Sequence, residues 1–340
     1  MSKTYIITGA NGFLGNNIVR ELNRTEPSAE IRALVSSPNH ADALAGLNCQ
    51  IFAGDVTKPE TLAPLFDIPE SGEIYVIHCA AIVYIKSKPN PAVYQVNVLG
   101  TKNIVEKTLE LGAKLVYVNS VHALPELPNN AEITEIRDFD PNKVVGEYAK
   151  SKAEAARYVL EAVQNRGLDA CIVHPSGIIG PYDFKTSHLT QLIIDAATGR
   201  LRAGVKGGYD FVDVRDVTNG ILAACEKGKP GECYILSGHY VSVPELLQLV
   251  AKAAGRKPIT TFLPLWLAKL TAPLSEIYYN LKKQPPLYTK YSLYTLESNA
   301  NFSHAKADRE LDYRSRPISE TITDTVRWLQ EAGKIPKSPN

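Results

Sequence analysis

Tyr148 and Lys152 stand four residues apart in GEYAKSKAEA, residues 146–155, a stretch of good helix formers. On a helix that spacing turns both side chains to one side. A phenol with an ammonium beside it is a proton-transfer pair. The ordinary Tyr pKa of about 10 makes the phenol a poor shuttle near neutrality, and a positive charge in a shielded cleft favours the phenolate. Lowering that pKa by about three units corresponds to roughly 4 kcal/mol, within reach of one neighbouring charge. Spacing alone is not diagnostic, because Tyr84 precedes Lys88, Tyr278 precedes Lys282 and Tyr279 precedes Lys283 in the same way. Context separates them. Tyr148 follows a β-rich run that ends in Ser120, a hydroxyl suited to hold a substrate oxygen and stabilise developing charge.

A second group of residues suits phosphate. TYIITGANGFLGNNIVREL, residues 4–22, puts Gly9, Gly12 and Gly15 between a strand-like run and a helix-like one. The first glycine allows a tight turn, the second a close approach of the backbone to a pyrophosphate, and the third close helix–strand packing. Asn11, Phe13 and Leu14 complete the loop, and the N–H groups that open the helix face the phosphates. At the end of the second strand an acid would bind the ribose hydroxyls of NAD, and an Arg the 2′-phosphate of NADP. The sequence ALVSSPNH offers neither: Ser36 and Ser37 can hydrogen-bond either ribose, and His40 can assist a phosphate. With no carboxylate to repel that phosphate, NADP is favoured over NAD.

These groups need a frame. Short apolar runs alternate with helix-period segments through the first half, the pattern of βαβ units and a parallel sheet. Strands are expected at residues 5–8, 31–35, 50–53, 74–79, 114–119 and 170–174, with long helices over 92–111 and 147–164. After Pro175 the pattern loosens. Helices at 187–200, 214–226, 243–254 and 319–332 surround strands near Phe211 and at 233–236. The expected architecture is α/β: a doubly wound parallel sheet formed by residues 1–175 and about 205–236, with a smaller, discontinuous α/β substrate lobe from about 176–204 and 237–335.

Bulk properties exclude several classes. With 340 residues, 44% hydrophobic and 21% charged content and a formal net charge of +1, nothing suggests a nucleic-acid partner. Lys282, Lys283 and Lys290 read as solvated surface. Five cysteines without a C-x-x-C pair suit reduced thiols in a cytoplasm, Cys79 being a small strand residue rather than a nucleophile. Neither a signal peptide nor a metal-ligand cluster is expected. The most apolar long stretch, residues 262–274, holds two prolines and a lysine and falls short of the roughly 20 residues of a membrane span. It reads as a helix.

In order along the chain, these motifs resemble the extended short-chain dehydrogenase/reductase family, or NAD-dependent epimerase/dehydratase superfamily, almost from end to end. TGANGFLG looks like its phosphate loop, and GDVT, with Asp55 and Val56, like its adenine contact. HCAA, with Ala80 and Ala81, is similar to its segment passing the cofactor, and NVLGT, starting at Asn97, to its helix motif. VNSVHAL supplies Ser120, YAKSK supplies Tyr148 and Lys152, and HPSGIIGP, with Pro175 and Ser176, resembles the segment beside the nicotinamide. FVDVRDV and KADRELDY resemble its C-terminal signatures. The resemblance implies a Rossmann fold, a nicotinamide cofactor contacted also by Tyr148 and Lys152, an Asn97 that supports Lys152 through water, and a homodimer.

The family members most similar in pattern are dihydroflavonol reductases and 3β-hydroxysteroid dehydrogenases, so an NAD(P)-dependent oxidoreductase acting on a ketone or secondary alcohol is expected. A nucleotide-sugar epimerase with retained NAD is the alternative; Ser176 in place of the Asn usual in such enzymes counts against it. A dehydratase is disfavoured because Val121-His122, not an Asp-Glu pair, follows Ser120. A non-catalytic NADP-sensing regulator is disfavoured by the intact Ser, Tyr and Lys. Tyr84, His122 and Asp183 are candidate substrate contacts. The lobe around 183–190, Tyr209 and 263–288 is apolar and aromatic, which suits an apolar ketone.

Overall fold

The computed structural model describes residues 3–37, 42–69, 72–84, 89–270 and 290–337. His40, Lys88, Tyr278, Tyr279, Lys282, Lys283 and the end of the 262–274 stretch lie outside the described residues. The strands in chain order are β1 (Lys3–Thr8), β2 (Glu30–Val35), β3 (Gln50–Ala53), β4 (Glu73–His78), β5 (Lys114–Val118) and β6 (Ala170–Pro175). They continue as β7 (Gly177–Ile179), β8 (Gly204–Val205), β9 (Gly208–Asp213), β10 (Cys233–Leu236), β11 (His239–Ser242) and β12 (Phe262–Leu263).

Seven of these form one parallel sheet in the order β3-β2-β1-β4-β5-β6-β10. Its central strands are continuous apolar runs because helices cover both faces: Ile6, Val76, Leu115 and Ile172 enter one core layer, and Ile7, Ile77, Val116 and Val173 the other. The chain steps outward from β1 to β3, then returns to lay β4 on the other side of β1. That reversal opens a crevice at the carboxyl ends of β1 and β4, where open α/β sheets take their ligands.

The expected helix over residues 92–111 is interrupted. An α-turn at Pro91–Tyr94 and an α-helix at Thr101–Leu111 flank a π-helical stretch, Gln95–Gly100. Widened turns of this kind re-aim side chains inside a helix, and this one contains Asn97. The 147–164 expectation becomes Glu147–Arg166, closed by Gly167 at φ 69°; a left-handed glycine there ends a helix at no steric cost.

The second half forms a three-stranded sheet, β11-β9-β7, and a two-stranded one, β12-β8. Here the structure departs from the expected division. β9 pairs with β7 and β11 rather than with the large sheet, so the chain rejoins the large layer only at the Val214–Lys227 helix and β10. Pairing decides this: β7 follows β6 directly and takes β9 as its parallel neighbour. Residues 262–263 are strand, and helix begins only at 265. Among the described residues, no helix is long and apolar enough to cross a membrane, and no His, Cys, Asp and Glu cluster could hold a metal ion.

Candidate active site

The glycine loop joins β1 to the Phe13–Thr25 helix. Gly9 has φ 67°, and a Cβ there would sit 2.9 Å from the Ala80 backbone. A Cβ on Gly15 would sit 2.3 Å from the Gly9 carbonyl oxygen, which no rearrangement of side chains can relieve. Gly12 is the N-cap and has no side-chain cap, so the first-turn N–H groups of Phe13, Leu14 and Gly15 are left to an anion. Helix, strand and the Ala80 segment are thus packed backbone to backbone around a helix N-terminus. This cradle fits a dinucleotide pyrophosphate. Asn16 and Asn17 tie it to the neighbouring lobe, their Nδ2 groups donating to the carbonyls of Tyr182 (3.1 Å) and Pro181 (3.3 Å).

Ser120 follows β5, its hydroxyl accepting the His122 N–H at 3.3 Å. From β6, His174 Nδ1 donates to the Ser120 carbonyl at 3.2 Å. Tyr148 and Lys152 emerge from the first two turns of the Glu147–Arg166 helix, on its buried side with Ser151. The structure therefore gathers Ser120, Tyr148 and Lys152 at the ends of β5 and β6. The electrostatics differ from the expected acidified phenol. Burial lifts Tyr148 to about 12, the Ser120 hydroxyl alone drawing it down, and burial lowers Lys152 to about 7. The reason is geometric: Lys152 Nζ turns to the Val118 carbonyl at 2.7 Å and the Tyr117 hydroxyl at 3.3 Å, not to the Tyr148 oxygen.

Asn97 positions this corner through direct bonds. Its Oδ1 accepts the Ile82 N–H at 2.8 Å, and its Nδ2 donates to the Ile82 carbonyl and the Ser151 hydroxyl, each at 3.0 Å. Ser151 in turn donates to the Tyr148 carbonyl at 2.7 Å. One amide thereby fixes the segment after β4 against the helix that carries Tyr148 and Lys152.

His122 lies in the same corner, its ring 6.0 Å from that of Tyr148 and stacked on Tyr209 at 5.8 Å. Tyr209 and Tyr291 approach its two nitrogens at 3.4 and 3.3 Å. Asp183 instead shapes the backbone: its carboxylate accepts the Ser187 N–H at 2.7 Å and holds the turn before the His188–Ala197 helix. Tyr84 is half-buried on the segment after β4. Ser36 is exposed at the end of β2, and Asp55 Oδ1 accepts the backbone and hydroxyl of Thr57. Val56 is buried against Gly100, where a Cβ would come within 2.7 Å of it. Ala80 and Ala81 follow β4, Pro175 ends β6, and the buried Ser176 joins β6 to β7. Cys79 follows β4, and burial pushes its thiol up to about 12, which disfavours the thiolate that a nucleophile needs.

Sequence reasoning missed Thr8, His78, Thr101, Tyr117 and His174, all buried around Lys152 or Ser120. A usable signal existed for two of them. Thr8 and His78 are the polar last residues of apolar strands flanking the crevice.

The model of the NAD dependent epimerase/dehydratase family matches residues 5–237. The chain is 31% identical to "Sterol demethylase protein B" of Methylococcus capsulatus over 98% of this chain and 100% of that one. It is 29% identical to a "Putative dihydroflavonol 4-reductase" of Synechocystis, over 98% and 97%. Among solved structures, that of gox2253 superimposes with a TM-score of 0.81 at 33% identity, covering 98% of this chain and 99% of the other.

Proposed function

The chain belongs to the NAD dependent epimerase/dehydratase family and is an oxidoreductase of the short-chain dehydrogenase/reductase type using NAD or NADP; from that premise we propose that it reduces a bulky apolar ketone, with Tyr148 as proton donor. The observation that carries this reading is the neutral, buried Tyr148 phenol beside Ser120, one helical turn from Lys152, at the carboxyl end of the sheet. The bound nicotinamide supplies hydride to carbon. Ser120 donates a hydrogen bond to the substrate oxygen, and Tyr148, protonated across the neutral range, delivers the proton to that oxygen as charge develops. Lys152, when charged, favours the phenolate left behind and offers a donor to the cofactor ribose.

Gly9, Asn11, Gly12, Phe13, Leu14 and Gly15 would hold the pyrophosphate, Ser36 the adenosine ribose, and Asp55 and Val56 the adenine. Ala80, Ala81, Pro175 and Ser176 would line the nicotinamide end. We favour NADP, since Ser36 brings no carboxylate to the 2′ position. The names of the sterol-related and dihydroflavonol-related relatives support a polycyclic or aromatic ketone, as do the rings of His122, Tyr209 and Tyr291 around Tyr148. We assign substrate recognition to the smaller lobe, residues about 176–213 and 237–335, and place the enzyme in the cytoplasm. We also propose a homodimer through the outer side of the Glu147–Arg166 helix, beside which Tyr94 and Leu99 are exposed.

The test is oxidation of NADPH and NADH at 340 nm with a panel of steroidal and flavonoid ketones. Ketone-dependent oxidation, faster with NADPH, is expected. No oxidation with any ketone, together with purified protein that retains NAD and interconverts sugar nucleotides, would replace this reading with an epimerase.

A further inference from the structure

We propose that Lys152 is oriented, and its proton retained, by two hydrogen-bond arms that converge on Thr101, one from Thr8 through His78 and the other from Lys152 through Tyr117, which makes Tyr117 a positioning residue for the lysine. This rests on the role given above to Lys152. All five side chains are buried, none more than 2% exposed, so each hydrogen must find a partner within the chain.

The hydrogens can be assigned one by one. The Ala80 N–H donates to Thr8 Oγ1 at 3.1 Å, and Thr8 meets His78 Nδ1 at 2.7 Å. At the other end, Thr101 donates its only hydroxyl hydrogen to the Asn97 carbonyl at 2.7 Å. His78 Nε2, 3.0 Å from Thr101 Oγ1, must therefore be the donor there, and Nδ1 must accept from Thr8. A protonated imidazole would need an acceptor at both nitrogens; burial holds His78 down to about 3, and it stays neutral. Thr101 Oγ1 keeps one further acceptor position, and the Tyr117 hydroxyl, which lies beside Thr101, is the group the proposal places there. With its hydrogen so used, the Tyr117 oxygen accepts from Lys152 Nζ, which also lies 4.8 Å from the Tyr117 ring centroid. Val118 takes a second N–H, leaving one of three for the reaction side.

The titratable groups around Lys152 are His78 and Cys79 at the end of β4, Tyr117 on β5, His174 on β6 and Tyr148 on its own helix. Burial keeps the imidazoles and the thiol neutral at pH 7. The ammonium consequently depends on neutral dipoles, the Val118 carbonyl and the Tyr117 oxygen, rather than on a counter-ion. Removing that oxygen should make Lys152 release its proton at lower pH.

Tyr117→Phe keeps the ring and deletes the oxygen. With lysine labelled at the ε-carbon and its resonance assigned through Lys152→Met, NMR titration of the cofactor-free enzyme should show the Lys152 midpoint falling by about one pH unit. The alkaline limb of kcat/KM should move down with it. A folded Tyr117→Phe enzyme whose midpoint and alkaline limb both match wild type would overturn the proposal. If that variant does not fold, Thr101→Ser, which keeps the hydroxyl, should hold the wild-type midpoint while Thr101→Val lowers it; equal midpoints in that pair would also overturn it. A shifted midpoint in an enzyme that reduces no ketone would count against the functional reading and leave the chain of bonds standing. Normal ketone reduction with an unmoved midpoint would do the reverse.

Discussion

The glycine loop and the catalytic corner sit at the same edge of one sheet, yet they are built by opposite means. The loop is backbone. Gly9 and Gly15 are required because the Ala80 backbone and the Gly9 carbonyl leave no room for a Cβ, and the helix N-terminus offers its N–H groups without burying any ionisable side chain. The corner is side chain. Lys152, Tyr148 and His78 are enclosed where water cannot stabilise charge, and burial shifts all three away from their charged forms. Binding can thus be provided by a shape that is also good packing, whereas proton transfer requires groups whose burial works against folding.

Lys152→Met should expose that contrast most sharply. Turnover is expected to fall roughly 10²–10⁴-fold, while the protein becomes more stable. The sign follows from the lowered folded-state pKa. Between pH 10.5 and about 7 the unfolded chain binds the proton more readily, so the cost of folding grows as pH falls through that window and is complete below it. After allowance for the orphaned Val118 carbonyl, a net gain of roughly 2–3 kcal/mol at pH 7 is expected by denaturant titration. A stability difference between wild type and Lys152→Met that is the same at pH 7 and pH 11 would contradict the buried-lysine account.

Gly15→Ala should do the converse. Forcing a Cβ into the Gly9 carbonyl separates helix from strand, and NADPH affinity measured by fluorescence should drop about 100-fold, the effect of about 3 kcal/mol of overpacking. Affinity within threefold of wild type would show that the loop is not the phosphate site. A smaller change is expected from Ser36→Arg at the exposed end of β2: about a tenfold shift of preference toward NADPH over NADH. An unchanged ratio of the two dissociation constants would move the ribose site elsewhere.

The same contrast explains how much of the molecule is legible in its sequence. The loop and the strands are local: glycine spacing, apolar runs and the Ser120, Tyr148, Lys152 order are all readable along the chain, and the structure places them together. The network around Lys152 is not local. Thr8 and His78 meet through the register of β1 on β4, 70 residues apart, and Tyr291 reaches His122 across 169 residues. The π-helical turn at Gln95–Gly100 has no marker in a stretch whose period reads as one helix. Asp183 reads as a substrate contact because it opens the apolar and aromatic lobe that follows HPSGIIGP, and only the fold reveals its carboxylate bound to the Ser187 N–H. β9 reads as a strand from its apolar residues, but the sheet it joins is set by its partners.

Tyr148→Phe tests the central claim most directly, because it deletes one oxygen from the corner and nothing from the loop. Single-turnover ketone reduction and NADPH binding, measured on the same preparation, should show hydride transfer slowed by about 10³-fold or more with the cofactor dissociation constant within twofold of wild type. Near-normal turnover in that variant would contradict the account, since the proton would then come from another group.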